Sequence, residues 1–351
     1  MSNSISLDSV GDYFKKEYVR SASDGHLYLT ILPTEKCNFR CTYCYEDFEI
    51  GKMTDDTLHG IKNLLTKAAP TLKNLMISWF GGEPTLNAKA MIEISEHIRQ
   101  LQSQYGFVYK AHVTTNGYLL DEAMFTRFVE LGINDYQITL DGDAECHDVT
   151  RKQASGKGSF EVIWNNLLNF RKIKDNFIVM LRLHITKLNE ESMYRLCKMI
   201  KAEFGDDPRF TTVVEEIKNL GDGVDGADAK QFVASDAKSR AEEIKELMHE
   251  SKDEQVKLIE NGNPYICYAS MPRQLLIRPN GTIGKCTVML NKDANHLGKL
   301  NRNGDYELDG KKMDLWVRGF VSLDATELSC PARGIPSSPK YQNELNAVAV
   351  A

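Results

Sequence analysis

The sequence lacks the features of a membrane or secreted protein. Its 351 residues contain no apolar run of about 18 residues, the length that a membrane-spanning helix requires. The opening stretch MSNSISLDSVGDYFKKEY has no apolar core of a signal peptide, so we expect a cytoplasmic protein. Basic residues are in deficit, with 43 Lys and Arg against 49 Asp and Glu and a net charge of −6. This balance disfavours a protein that binds nucleic-acid phosphates broadly.

The composition is that of an ordinary globular protein, with 42% apolar and 26% charged residues. A protein of this length favours about two domains. Short β-branched runs alternate with amphipathic stretches over the first two thirds of the sequence, which predicts an α/β fold with parallel strands. The predicted strands span residues 27–32, 75–80, 109–114, 136–140, 177–185 and 210–217.

Helices are predicted between these strands. Thr54 is a candidate N-cap before a helix, and apolar stripes at helical spacing follow the second and third strands. A Gly/Asp-rich stretch at 221–228 resembles a linker or an active-site loop, and a charged helix is predicted at about 235–251. Residues 275–278 and 283–286 flank the turn 279–282 and predict a β-hairpin.

Eight cysteines need a role other than disulfide formation, because a reducing cytosol disfavours disulfides. The strongest pattern is Cys37, Cys41 and Cys44 in TEKCNFRCTYCYE, directly after the first predicted strand. Three thiolates in one loop can bind three corners of a cubane iron–sulfur cluster and leave the fourth iron open. A zinc site is the alternative, but it requires a fourth ligand, and the nearest spare residues are His26 and His59.

The CxxxCxxC motif, with Tyr43 before its last cysteine, resembles that of the radical S-adenosylmethionine (SAM) enzymes. The resemblance implies a partial (β/α)6 barrel with a [4Fe-4S] cluster on Cys37, Cys41 and Cys44. It also implies that the open iron binds the amino and carboxylate groups of SAM, which is cleaved to a 5′-deoxyadenosyl radical.

Further motifs lie where such a barrel places its site, at the carboxyl ends of strands. Taken alone, the GGEP stretch could be a simple turn, whereas the resemblance implies that it contacts the SAM amino group. Asn116 in TNG would approach the ribose and Thr139 in TLDG the carboxylate, which Arg151 or Arg182 could pair with. The expected SAM-binding residues are Tyr43, Gly81, Gly82, Glu83, Pro84, Asn116, Thr139, Arg151 and Arg182.

The C-terminal region resembles the auxiliary-cluster domain, of SPASM or twitch type, that many peptide-modifying radical SAM enzymes carry. Cys267 and Cys286 flank the predicted hairpin, and Cys330 would be a third ligand. Arg333 stands where the second cysteine of a CxxC pair is expected, so we expect one auxiliary cluster with an unidentified fourth ligand, or a cluster-free domain. Cys146 and Cys197 are predicted not to be ligands, since free cysteine behaves as a small apolar residue.

These resemblances predict four segments: an N-terminal extension (1–26), a radical SAM barrel (27–225), a linker helix region (226–264) and an auxiliary domain (265–351). The protein is most similar to maturases of ribosomally made precursor peptides, and we favour installation of a carbon–carbon crosslink between side chains. No catalytic base is assigned. The implied partners are a precursor peptide and an electron donor such as flavodoxin or ferredoxin, with neither nucleic acid nor membrane.

Two alternatives remain open. One is an anaerobic sulfatase maturase, which makes formylglycine; these enzymes have an Asp directly after the second hairpin cysteine, where this sequence has Thr287. The other is a non-catalytic iron–sulfur or zinc module that binds peptides. A bound leader peptide is expected at an exposed strand edge.

Overall fold

A ten-stranded sheet organises the part of the protein that the computed structural model describes, namely residues 5, 10–186, 188–216, 243–244, 246–248 and 265–335. The strands are β1 (His26–Ile31), β2 (Asn74–Trp79), β3 (Val108–Thr115), β4 (Ile133–Leu140), β5 (Ile178–Ile185), β6 (Phe210–Glu216), β7 (Gln274–Ile277), β8 (Thr282–Gly284), β9 (Gly298–Leu300) and β10 (Tyr306–Leu308). The helices are α1 (Asp12–Ala22), α2 (Asp55–Ala68), α3 (Ala88–Tyr105), α4 (Glu122–Glu130), α5 (Ala144–Thr150), α6 (Phe160–Phe170), α7 (Glu190–Phe204), α8 (Gly310–Ser322) and α9 (Ala325–Ser329).

The sheet order is β10-β9-β8-β7-β1-β2-β3-β4-β5-β6. Strands β1 to β6 are parallel neighbours in sequence order, as helical crossovers between parallel strands require. Because β10 and β6 lie at opposite ends of this order, the described strands form an open sheet. The predicted α/β class with a partial barrel is confirmed.

The predicted C-terminal hairpin is β7 and β8, but it does not stand apart from the barrel. Strand β7 pairs in parallel with β1, so the parallel sheet continues into the C-terminal region. Strands β9 and β10 then extend it in antiparallel order. The C-terminal region therefore contains four strands and two helices, more than the predicted hairpin plus helix.

Alternating burial separates the two faces of the parallel sheet. One face packs against the helices and forms the main core, with Leu29, Ile77 and Val113 fully buried. The other, which we call the open face, carries the alternate side chains, many of which are polar. These include Thr30, Ser78, His112, Gln137 and Arg182.

The N-cap and the apolar stripe that the sequence predicts for two helices are present in the structure. The Thr54 side chain accepts a hydrogen bond from the Thr57 backbone N–H at 3.2 Å, which confirms it as the N-cap of α2. The predicted stripe on α3 is buried through Met91, Ile94 and Ile98. The 221–228 stretch lies outside the described residues, and of the predicted helix 235–251 only 243–244 and 246–248 are described and are helical.

Helix α1 packs on the C-terminal region. The Tyr18 hydroxyl donates to the Phe320 carbonyl at 2.6 Å, and the two rings stack with their centroids 4.6 Å apart. Phe14 joins Phe320 and Leu328 in a small apolar cluster. The segment predicted as a simple N-terminal extension is thus bound to α8 and α9.

A buried ion pair joins the loop after β1 to the end of β7. Arg278 donates through Nε and Nη2 to the two carboxylate oxygens of Glu35, at 2.7 and 2.8 Å. Both side chains are at most 5% exposed. Arg278 also donates to the Leu290 carbonyl and the Asn291 side chain, so its guanidinium connects three segments.

Removing one partner of this pair should destabilise the protein strongly. Arg278→Met leaves the Glu35 carboxylate buried without its cation, and we expect unfolding to become easier by about 3–5 kcal/mol. Denaturant titration of the anaerobically purified protein measures this change. The double variant Glu35→Leu with Arg278→Met should recover part of the loss, because no unpaired charge remains.

The matched control is Arg302→Met, which breaks an exposed pair with Asp56 at 2.7 Å. An exposed pair contributes less than about 1 kcal/mol. Equal losses for the two single variants would contradict a special role for the buried pair.

Candidate metal and cofactor site

The cysteine loop lies at the carboxyl end of β1, where parallel α/β sheets carry their sites. Backbone hydrogen bonds fix it against the segment that follows α5. The N–H groups of Arg40 and Thr42 donate to the carbonyls of Lys152 and Thr150, both at 2.9 Å. These bonds hold the loop in one shape without using its thiols.

Cys37, Cys41 and Cys44 are half-buried and reduced. Burial raises the pKa of the Cys37 and Cys41 thiols and raises that of Cys44 to about 12. A bound cation therefore has to stabilise the thiolates. Among the described residues, no three His, Cys, Asp or Glu side chains lie close enough to share a single metal ion.

The two glycines of GGEP bring the end of β2 against the cysteine loop. Gly81 has a φ of +120°, and a Cβ there would overlap the Thr34 carbonyl oxygen. A Cβ on Gly82 would lie 2.5 Å from the Glu35 carbonyl oxygen. The close approach that these glycines permit is thus to the backbone of the loop itself.

Glu83 is fully buried and is surrounded by donors of the protein itself. Its Oε1 accepts from the backbone N–H and hydroxyl of Thr85 at 3.0 and 2.6 Å, and from the Thr115 hydroxyl at 2.7 Å. Its Oε2 accepts from the Asn116 N–H at 2.7 Å. Burial raises the pKa of Glu83, and these donors oppose the rise. Pro84 follows at the start of a short 3₁₀ turn, Pro84–Asn87, that Glu83 caps.

Asn116 connects the end of β3 to the cysteine loop. Its Nδ2 donates to Asn38 Oδ1 at 2.8 Å, between Cys37 and Cys41 in sequence, while its Oδ1 accepts from the Tyr118 N–H at 3.0 Å. The Glu83 and Asn116 bonds together place GGEP and TNG around one loop. Their predicted contacts with SAM stay predictions.

Tyr43 is the centre of a polar network. Its hydroxyl donates to the Asp141 carboxylate at 2.7 Å and accepts from Arg151 Nη1 at 2.9 Å. His184 Nδ1 lies 3.2 Å from the same oxygen, and the Thr150 hydroxyl donates to Asp141 at 2.7 Å. The sequence indicated Tyr43 and Arg151, whereas Asp141 and His184 were not assigned as site residues.

Thr139 and Arg182 are direct neighbours across β4 and β5. Thr139 is buried, and Arg182 extends from the open face. Both predicted arginines therefore lie at the same end of the sheet, Arg151 beside Cys41 and Arg182 on β5.

Four buried polar atoms without a hydrogen-bond partner among the described residues surround the cysteine loop. They are Thr42 Oγ1, Glu46 Oε2, Arg151 Nε and Arg182 Nε. Buried polar groups are normally satisfied, so these atoms indicate a polar ligand. Two guanidinium donors suit the carboxylate of SAM, and Glu46 suits a cationic group. The residues present fit a [4Fe-4S] cluster with bound SAM.

The second cysteine group lies in a separate apolar cluster around Trp316. Cys286 and Cys330 are each 8% exposed, and Cys267 packs against the same cluster. The hydrogen bonds of their backbone N–H groups fix all three: Cys267 to the Leu328 carbonyl, Cys286 to Asn295 Oδ1 and Cys330 to the Thr326 carbonyl. Arg333 is exposed. The donor set fits three ligands of one auxiliary cluster.

Tyr45 lies between the two cysteine groups. Burial raises the pKa of its phenol, and Cys44 and Cys286 both add to the rise. Thr287 opposes this rise, and its Oγ1 is 2.9 Å from the Tyr268 hydroxyl. In the sequence, the only sign of this contact between the two cysteine groups is the aromatic residue directly after Cys44.

The cysteines predicted not to be ligands lie elsewhere. Cys197 is fully buried on α7 within the main core. Cys146 is on α5, away from both groups in sequence, and is half-buried.

A Cβ at position 81 should displace the cysteine loop. We expect Gly81→Ala to lower the iron content of anaerobically reconstituted protein several-fold, because the new methyl group overlaps the Thr34 carbonyl. Gly106→Ala is the matched control: its φ is also positive, at +75°, but nothing lies within 4 Å of the new Cβ. Normal iron loading in both variants would contradict the close approach at Gly81.

Comparison with known proteins gives a family match in the first part of the protein. The family model of the radical SAM superfamily matches residues 31–200. The chain is 29% identical over 211 residues to a GTP 3′,8-cyclase of Haemophilus ducreyi, covering 57% of this chain and 58% of that protein. It is 29% identical over 168 residues to a cysteine-type anaerobic sulfatase-maturating enzyme of Clostridium perfringens, covering 44% and 43%. The protein thus spans about half the length of these curated relatives.

Solved structures share the fold at low identity. "Native anSMEcpe with bound AdoMet" superposes with a TM-score of 0.57 at 19% identity, over 82% of this protein and 80% of that one. Streptococcus suis SuiB bound to the precursor peptide SuiA gives 0.55 at 14% identity, over 86% and 67%. No described helix here has the length and apolarity needed to cross a membrane. Residues 31–200 are therefore a radical SAM domain, as the CxxxCxxC motif indicated.

Proposed function

We propose that this protein is a radical SAM enzyme that modifies a peptide. The observation that carries the proposal is the cysteine loop at the carboxyl ends of the parallel strands, surrounded by Glu83, Asn116, Tyr43 and two arginines with unsatisfied donors. The polar open face below this loop offers hydrogen-bonding groups to a substrate.

When bound, a [4Fe-4S] cluster and SAM would supply the radical chemistry, in the form of a 5′-deoxyadenosyl radical. Cys37, Cys41 and Cys44 would hold the cluster. Arg151 or Arg182 would pair with the SAM carboxylate, Asn116 would approach the ribose, and Glu83 would face the amino group through its less used oxygen Oε2. The turn that presents Glu83 is formed with Gly81, Gly82 and Pro84. The proposed SAM site would be completed by Tyr43 and Thr139.

Cys267, Cys286 and Cys330 would hold one auxiliary iron–sulfur cluster. Their apolar surroundings exclude water, which protects a cluster and sets its potential. Electrons would come from a small carrier such as flavodoxin or ferredoxin.

The finer proposal is a bond between carbon atoms of two side chains in a precursor peptide, which gives a cyclophane-type ring. One hydrogen atom would pass to the 5′-deoxyadenosyl radical, and the second would leave as a proton while its electron passes to the auxiliary cluster. Formylglycine formation on a sulfatase is the second candidate, favoured by the sulfatase-maturating relatives. Thr287 weakens that candidate, because no carboxylate directly follows Cys286 and the Thr287 hydroxyl is 2.9 Å from the Tyr268 hydroxyl.

Replacing one cluster ligand should abolish SAM cleavage. We expect Cys41→Ala to lose reductive formation of 5′-deoxyadenosine in dithionite-reduced, reconstituted protein, because the cluster loses one of three thiolates. Chromatography of the reaction mixture measures the product. Cys146→Ala, a half-buried cysteine outside both groups, is the control and should keep wild-type turnover. Cleavage that persists in Cys41→Ala would contradict the enzyme proposal and favour a peptide-binding module.

The iron content of variants should show whether the two cysteine groups bind separate clusters. Wild-type protein should hold about eight irons, and Cys286→Ala about four, because only the auxiliary cluster is lost. Mössbauer spectroscopy with a colorimetric iron assay checks this. An unchanged iron content in Cys286→Ala would support the cluster-free alternative for the C-terminal region.

The peptide product should identify the reaction. A peptide encoded beside the gene, incubated with the enzyme and SAM, should lose the mass of two hydrogen atoms, and the loss should survive thiol capping. Tandem mass spectrometry should show no backbone fragments between the linked residues, and a hydrazide reagent should not label the product. Hydrazide labelling of a sulfatase peptide instead would establish formylglycine formation.

A further inference from the structure

A cavity of about 540 Å³ lies at the opposite end of the sheet from the cysteine loop. It is bounded by the amino-terminal parts of β1, β2 and β3, by α1 and by residues 265–274. This volume is within the range of sites that bind small ligands or parts of peptides. None of its lining residues belongs to the site proposed for the cluster and SAM.

The cavity belongs to the open face. Gln274, Tyr28, Met76 and Lys110 are successive partners across β7, β1, β2 and β3, so they form one row, and all four line the cavity. Leu32, where the backbone leaves β1 for the cysteine loop, is four residues beyond Tyr28. Four strand residues span about 13 Å, and an extended peptide on this face covers the same distance with about four residues.

Positive charge dominates the lining. Arg20, Lys110 and Arg273 contribute three cations, and Glu17 is the single carboxylate among the lining residues. Glu17 pairs with Arg20 at 2.6 Å. Arg273 is 3.5 Å from Asp24, which is 92% exposed and therefore a weak partner. The cavity thus favours a ligand with negative charge.

Two neighbouring side chains on the wall have unsatisfied buried atoms. Arg273 Nε is a donor without a partner among the described residues, and Gln274 Oε1 is an acceptor without one, although Gln274 is fully buried. An unsatisfied donor and an unsatisfied acceptor on one wall suit the polar groups of a peptide backbone or a carboxylate. Tyr28, Met76 and Ile266 supply apolar contact around them.

We propose that this cavity binds an acidic segment of the peptide substrate, at least about four residues from the residue that reacts. The inference rests on the proposed function, because it takes the substrate to be a peptide that follows the open face. Arg273 and Lys110 would pair with its carboxylates, while the apolar wall would contact the side groups between them.

Calorimetric titration with a capped hexapeptide of alternating Glu and Leu tests this on reconstituted protein. We expect the double variant Arg273→Gln with Lys110→Gln to bind it at least tenfold more weakly than wild type. A double control, Lys89→Gln with Lys198→Gln, removes the same charge from α3 and α7 and should change the affinity less than twofold. The corresponding Gln–Leu hexapeptide should bind wild type at least tenfold more weakly than the acidic one.

Undetectable binding of the acidic peptide to wild type, equal affinity in the two double variants, or equal affinity for the two peptides would overturn the proposal. Reductive SAM cleavage without peptide is measured on the same preparations. This measurement distinguishes failure of the cavity proposal from failure of the proposed enzyme function. Normal cleavage with no binding refutes the cavity assignment alone, whereas absent cleavage refutes the enzyme proposal.

Discussion

The contact between Glu35 and Arg278 holds the candidate site to the rest of the molecule. Glu35 belongs to the loop that carries Cys37, and Arg278 ends the strand that precedes Cys286. Both side chains are buried, so separating them would leave two unpaired charges with no solvent to stabilise them. This ion pair and the pairing of β7 with β1 both help to fix the positions of the two cysteine groups relative to each other.

A second constraint comes from Glu83. One carboxylate accepts hydrogen bonds from Thr85, after β2, from Thr115, the last residue of β3, and from Asn116, which follows it. The ends of two strands and the cysteine loop are thus cross-linked by hydrogen bonds of the protein itself. A site held in this way is preorganised for its ligands, because little conformational freedom is left to lose on binding.

Periodicity and motif spacing were sufficient to predict the six parallel strands, the α2 cap and the position of the cysteine loop. Strand ends shifted by up to three residues, as for β4, which begins at Ile133 rather than at 136, because hydrogen-bond pairing with β3 decides where a strand begins. The pairing of β7 with β1 could not be predicted, since it joins segments that are distant in sequence; Gln274 and Thr30, whose side groups meet there, are 244 residues apart. Likewise the sequence predicted only an N-terminal extension at α1, because the contact between Tyr18 and Phe320 joins segments that are distant in sequence.

The candidate site likewise has local features that the sequence predicts and contacts between distant segments that it does not. Cysteine spacing and the GGEP and TNG motifs are local, and the sequence indicates them directly. Asp141 and His184 enter through Tyr43, which lies 98 and 141 residues away from them, so only the fold reveals that network. The cavity at the amino ends of the strands has no motif at all, because its charged residues come from three separate segments.

The parallel pairing of β1 with β7 also has a consequence for synthesis of the protein. Strand β1 is made early, yet one of its edges stays unpaired until residues 274–277 have left the ribosome. During that interval the nascent protein presents a free backbone edge of apolar character, the kind of surface that recruits other strands and leads to aggregation. Expression conditions that slow translation would prolong this vulnerable stage, and chaperone capacity would then decide the yield of folded protein.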